Sequence, residues 1–240
     1  MKLACASGAL HCSLVAGDCT QLEFLDLCAH ELACDGVVLD VRHFPRTDDD
    51  YLAHVKKMAV DRGLTIAALA DTSFFAGESR RMGDVLGYAV SLGAPLIAAE
   101  LARESDRPWS EQLANLNVAT SLAKSCNVTL ALRNASGTFA ADSHDCKRVS
   151  KEADSAWLRF GPQPSTLGAA ADPAELAPNS VLLWSDVGDA TERGATQTLR
   201  WFPAFRGHLA LDAADGNATI AEIAGALRTW RNALASPNRT

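Results

Sequence analysis

Short apolar runs of strand length recur along the whole chain, at residues 3–6, 36–41, 64–69, 95–99, 128–132, 156–160, 181–184 and 208–211. Within them apolar residues follow one another with little polar alternation. A strand buried on both faces reads this way, and such strands belong to parallel sheets covered by helices. The intervening segments carry helical signals. Thr20-Gln21-Leu22-Glu23 has the spacing of a capping box, in which hydroxyl and carboxylate each satisfy an orphan backbone N–H, and Leu22, Leu25, Ala29 and Leu32 follow on one face. Asp48-Asp49-Asp50 places negative charge where a helix dipole favours it, ahead of Leu52, Val55 and Ala59. Gly63 and Gly93 each punctuate the passage from helix to strand. A second capping box, Thr219-Ile220-Ala221-Glu222, opens a last helix expected to bury Ile220, Ile223, Leu227, Trp230 and Leu234.

The runs recur about every 30 residues, the size of one strand-helix unit, so about eight units fill the chain. No linker rich in proline, glycine or serine interrupts them. These features predict an α/β fold of one domain over residues 1–240, a closed (β/α)8 TIM barrel. An open doubly wound sheet is the alternative, but the first turn, Ala6-Ser7-Gly8-Ala9-Leu10, lacks the glycine pattern of a dinucleotide site. Pro162, Pro164, Pro173 and Pro178 predict an irregular loop with only a short helix across residues 161–179.

Composition narrows the function classes. The chain has 240 residues, 48% hydrophobic and 21% charged, with a mean hydropathy of +0.00. That excludes disorder and coiled coil. A net charge of −7 supplies no positive field for nucleic acid or an anionic membrane, so neither is expected as a partner. The seven cysteines form no Cys-x-x-Cys pair, and most of them read as buried small hydrophobes. No apolar stretch approaches the ~20 residues of a membrane span, and residues 1–8 are too short an apolar run for a signal-peptide core. The expected setting is a reducing cytoplasm, and the expected partner is a small molecule. Oligomeric state is left open.

Barrel active sites assemble at the C-terminal ends of the strands, so the residues just after each run are the candidates. They are polar: Asp40, Arg42 and His43 after the second run, Asp71 after the third, Glu100 after the fourth, and Arg133 and Asn134 after the fifth. Ser185 and Asp186 follow the seventh and Asp212 the eighth. Any one alone is more often a solvated loop residue or a helix cap, but the ring together predicts a polar pocket. His43, Asp71, Glu100 and Asp212 are the candidate proton-transfer groups. Asp40, Arg42, Arg133, Asn134 and Asp186 are the candidate ligand-binding groups. Of the six histidines, His11 and His43 are the two placed near the mouth.

The phrases Gly63-Leu64-Thr65-Ile66-Ala67-Ala68-Leu69, Leu92-Gly93-Ala94-Pro95-Leu96-Ile97, Leu130-Ala131-Leu132-Arg133-Asn134 and Gly207-His208-Leu209-Ala210-Leu211-Asp212, in this order and spacing, resemble the xylose isomerase-like TIM barrels. That superfamily holds sugar and sugar-phosphate isomerases and epimerases, inosose dehydratases and endonuclease IV repair enzymes. The resemblance implies a divalent metal at the top of the barrel. Its usual ligands are a Glu after strand five, an Asp after strand six, a His after strand six or seven and a Glu after strand eight.

This chain departs from that pattern. Arg133 stands where the resemblance expects the strand-five Glu, and a guanidinium cannot ligate a cation. The strand-six phrase reads Gly161-Pro162-Gln163-Pro164, without carboxylate or imidazole. Strand seven keeps Asp186, and strand eight keeps a shortened carboxylate, Asp212. The expectation is therefore no metal and no other cofactor at the mouth. Arg133 should substitute for the cation's charge by pairing with Asp212 or Asp186. The first functional expectation is an isomerase/epimerase-like barrel that binds a small polyhydroxylated or anionic ligand. The second is a metal-independent isomerase, epimerase or lyase, and an endonuclease-like reading ranks last.

Overall fold

The computed structural model describes residues 1–168 and 172–236. Each predicted run is a strand: β1 (Lys2–Ala6), β2 (Gly36–Asp40), β3 (Thr65–Ala70), β4 (Leu96–Ala99), β5 (Thr129–Leu132), β6 (Leu158–Phe160), β7 (Leu182–Asp186) and β8 (His208–Asp212). They pair in parallel in the order β6-β5-β4-β3-β2-β1-β8-β7. The sheet curls until its edges meet, where the N–H of Val181 donates to the Phe160 carbonyl at 2.9 Å and the N–H of Trp184 to the Pro162 carbonyl at 2.9 Å. Those bonds satisfy edge groups that an open sheet would leave unpaired.

Helices cover the outside. They are α1 (His11–Ala16), α2 (Gln21–Asp26), α3 (Asp49–Asp61), α4 (Ser79–Leu92), α5 (Trp109–Cys126), α6 (Ser143–Ala153), α7 (Glu192–Trp201) and α8 (Ile220–Ala235). Both capping boxes form, at Thr20 with Glu23 and at Thr219 with Glu222, and the Asp48 carboxylate accepts from the N–H of Tyr51 at the start of α3. Ile220 departs from expectation. As the first residue of α8 it lies outside the packed stripe and stays 44% exposed. Residues 161–179 carry two 3-10 turns, Pro164–Thr166 and Pro173–Asn179, where the proline content predicted a short helix. Positions 169–171 of that loop lie outside the described residues.

The apolar runs conceal an alternation of size. Large side chains such as Leu3, Val37, Leu39, Ile97, Leu130, Leu132, Leu209 and Leu211 point outward into the layer shared with the helices. A separate cluster fills the barrel and contains Ala4, Ala6, Ala67, Ala68, Ala98, Ala131 and Ala210 with Val38, Leu182 and Trp184. Barrel interiors are usually packed with branched aliphatic residues. Here alanines leave room, and Trp184 takes part of it. Most of the cysteines are buried as expected, namely Cys5, Cys28, Cys34 and Cys146; Cys12 is exposed and Cys19 and Cys126 are half-buried. No helix among the described residues is long and apolar enough to cross a membrane.

Candidate active site at the barrel mouth

The two-residue period of a strand decides which polar residues enter the barrel. Ala131 points inward and Leu132 outward, so Arg133 points inward again. The same parity carries Ala98 to Glu100, Ala210 to Asp212 and Val38 to Asp40. A cavity of about 350 Å³ opens there, lined by Gly8, His11, Asp40, Arg42, Glu100, Arg133, Trp184 and Asp212, with Thr72, Asp215 and Gly216 at its rim. A second cavity, of about 290 Å³, lies beside β7 against α7 and α8. Its walls include Trp201 and Trp230 and it gathers fewer charged groups than the mouth, which is the candidate site.

Arg133 is the centre of the arrangement. Its Nη1 donates to Asp212 Oδ2 at 2.8 Å and its Nη2 to Gln163 Oε1 at 2.7 Å. Its Nε lies 3.6 Å from Glu100 Oε1, and the guanidinium stacks over the Trp184 ring with Cζ 4.3 Å from the centroid. The expected pairing with a mouth carboxylate is thus made to Asp212. A Cβ at Gly161 would press on Ala131 at 3.3 Å and reach ordinary contact with Trp184 Nε1 at 3.5 Å. Gly8 approaches Asp212 so closely that a Cβ would sit 2.6 Å from Oδ1. Burial raises the Glu100 pKa and the Asp212 charge adds to that, which outweighs the opposing effect of Arg133.

A second chain of contacts reaches the mouth from behind β1. The Ser7 hydroxyl, itself buried, accepts from the Asp40 N–H at 2.9 Å and lies 2.8 Å from His43 Nδ1. His43 Nε2 lies 2.8 Å from His11 Nδ1. No acceptor other than His43 Nδ1 lies within reach of the buried Ser7 hydroxyl proton among the described residues, so the direction that satisfies it has Ser7 donating to His43 Nδ1. In that order His43 carries its proton on Nε2 and donates to His11 Nδ1, which leaves Nε2–H as the donor that His11 turns to the mouth. Burial lowers the His43 pKa and so keeps it neutral in this role, with Asp40 opposing and His11 and Arg42 reinforcing the shift.

Other candidates fall outside the cavity, Asp71 and Asn134 for the same reason of parity and Asp186 because its carboxylate is turned onto loop N–H groups. Asp71 is one residue out of phase with Ala70; it accepts from the Ser73 N–H and from Arg81 Nη2 at 2.8 Å, and it braces the start of the β3–α4 loop. Asn134 is out of phase with Arg133, accepts from the Gln163 N–H at 2.7 Å and donates to Thr166 Oγ1, so it holds the loop after β6. Asp186 accepts from the N–H groups of Gly188 and Ala214, both at 2.8 Å, and ties the loops after β7 and β8 together. His43 is 9% exposed with both ring nitrogens engaged, which puts it behind His11 rather than against a ligand. The candidate set also missed Trp184, Thr72, Asp215 and Gln163. Trp184 shares the inner face of β7 with Leu182 two residues before it, whereas Gln163 belongs to an irregular loop.

Among the described residues, three groups able to ligate a metal come together only at Asp142, His144 and Asp145, at the start of α6. They do not line the mouth.

No protein-family model matches the sequence, and no curated protein matches it. Solved structures do match. A xylose isomerase-like TIM barrel/4-hydroxyphenylpyruvate dioxygenase fusion protein superposes with a TM-score of 0.73 at 17% identity, covering 95% of this chain; the chain spans 42% of that protein's length. A xylose isomerase domain protein from Alicyclobacillus acidocaldarius subsp. acidocaldarius gives 0.75 at 14% identity over 98% of each chain. A D-psicose 3-epimerase, solved in the presence of D-fructose, gives 0.73 at 13% identity over 98% of this chain and 97% of its own. These likenesses establish the fold as that of the xylose isomerase-like TIM barrels.

Proposed function

We propose that this chain, having the fold of the xylose isomerase-like barrels, binds a small hydroxyl-rich molecule at the mouth and transfers protons there without a divalent metal. The observation that carries the reading is Arg133, whose guanidinium lies 2.8 Å from Asp212 and stacks on Trp184. A divalent ion at the place the resemblance implies would face this fixed positive charge. It would have Glu100 and Asp212 as donors but no ligand from Gly161, and a divalent site needs several converging donors. The residues present do not fit such an ion.

The chemistry the mouth supports is proton transfer at a carbon next to a carbonyl. Glu100, with its raised pKa, is the group able to take the proton from carbon and return it to the neighbouring carbon or to the same one. His11 Nε2–H and the spare N–H hydrogens of Arg133 are the donors to the oxygen on which negative charge develops. A carbon acid that gives up its proton this way and regains it on the neighbouring carbon, while the hydroxyl proton there passes to the former carbonyl oxygen, returns as an isomer; return to the same carbon from the same group is exchange with solvent.

Two measurements test the reading. Metal analysis after dialysis should find less than about 0.1 equivalent of Mn²⁺, Zn²⁺ or Mg²⁺; about one equivalent, lost in Asp212→Ala, would contradict it. Deuterium exchange from solvent into the carbon skeleton of ketoses and aldoses, insensitive to EDTA and lost in Glu100→Gln, supports the catalytic half. Exchange that EDTA abolishes removes it.

A further inference from the structure

We infer that the mouth selects an uncharged polyhydroxylated ligand and rejects one bearing a phosphate or carboxylate. The inference rests on the mouth being the ligand site, as proposed above, and adds the charge class of what enters.

The cationic groups around the cavity are already answered. Arg133 is held by Asp212 and Gln163, with Glu100 nearby. Arg42 turns Nε and Nη2 onto the buried Asp40 carboxylate, at 3.0 and 2.7 Å. The described lining carries Asp40, Glu100, Asp212 and Asp215 against Arg42 and Arg133, with no lysine. An anion brought into this space would lose its hydration next to carboxylates and meet no uncompensated cation.

Backbone donors tell the same story. In TIM barrels the loops after strands seven and eight are the frequent seat of a ligand phosphate. Here the chain's own carboxylates take those N–H groups. Asp186 accepts from Gly188 and Ala214, Asp212 from Ala213 at 3.0 Å, and Asp215 from Asn217 at 3.0 Å. A phosphate would have to displace an aspartate that is covalently tethered in place. Hydroxyl and carbonyl oxygens face no such barrier. They carry no net charge, and His11 Nε2–H and the second hydrogens of Arg133 can still donate to them while the acids accept from hydroxyls.

The test uses D-fructose, D-fructose 6-phosphate and inorganic phosphate, each titrated against the full chain while the indole N–H of Trp184, assigned with Trp184→Phe, is followed by ¹⁵N NMR. The sugar should shift that resonance with an affinity at least about tenfold above that of its phosphate, and inorganic phosphate should leave it still. In Asp186→Ala, which releases the Gly188 and Ala214 N–H groups, inorganic phosphate should gain binding by a similar factor. Equal or tighter binding of the phosphorylated sugar to the wild type overturns the charge selection while leaving the mouth as the ligand site. If neither sugar moves Trp184, the ligand site itself falls and the selection with it. An Asp186→Ala protein that folds but gains no phosphate affinity removes the argument from the occupied N–H groups.

Discussion

His11 Nδ1 and His43 Nε2 lie 2.8 Å apart, with the buried Ser7 hydroxyl 2.8 Å from the far side of the His43 ring. The buried Ser7 proton has no other acceptor among the described residues, and giving it to His43 Nδ1 sets the order for all three groups. The expected outcome is a fixed tautomer: long-range ¹H–¹⁵N spectra should show both histidines protonated on Nε2. Ser7→Ala should leave His43 free to exchange tautomers, and His11 with it. A wild-type spectrum with His11 protonated on Nδ1 would contradict this order.

His43 also sets an acid limit. Its folded pKa lies below the ordinary value of 6.5, so the unfolded chain binds its proton first. The sign follows: as pH falls below 6.5 toward the folded value, the contribution to stability from keeping His43 neutral is lost, and above 6.5 it is fully present. His208, lowered by burial at the opposite end of the barrel, acts in the same direction. Denaturant melts between pH 7.5 and 5 should show the decline. His43→Asn should flatten part of it and leave the share from His208.

Arg133→Met should cost about 3 kcal/mol at neutral pH, because Asp212 would lose its partner in a site where its side chain is 14% exposed. Replacing Asp212 by Asn as well should recover part of that loss, since the carboxylate left without its partner is then gone. Urea unfolding of the two single variants and the double variant measures the coupling. A coupling near zero would show that the pair contributes nothing beyond its stacking on Trp184.

Glu100 has the opposite linkage. An acid whose folded pKa is raised holds its proton more tightly when folded, so stability falls as pH rises from the ordinary glutamate value through the folded one. Glu100→Gln should remove that fall and leave the protein at least as stable as wild type at pH 7. If the variant is clearly less stable there, the ion pair with Arg133 outweighs the cost of burying the carboxylate. The 3.6 Å separation argues against that.

The eight strands, their order along the chain and both capping boxes were legible in the sequence because they depend on local rules: apolar run length, and side-chain oxygens three residues from the N–H they satisfy. The identity of Arg133 at a strand end was legible as well. So, in principle, was the sorting of the mouth, since alternate positions on a strand share a face and Ala98, Ala131 and Ala210 mark the inner one. Asp71 and Asn134, one step out of phase, became braces for that reason.

Other features depended on the closed barrel. Asp212, Gln163 and Trp184 surround Arg133 from three separate parts of the chain, and the Asp186 carboxylate reaches a loop 28 residues away. His43 lies behind His11 because β1 and β2 are neighbours in the sheet. No residue pattern encodes those distances. They follow from closing eight strands on one another, which brings their ends within hydrogen-bond reach and lets the chain's own charges neutralise each other before a ligand arrives.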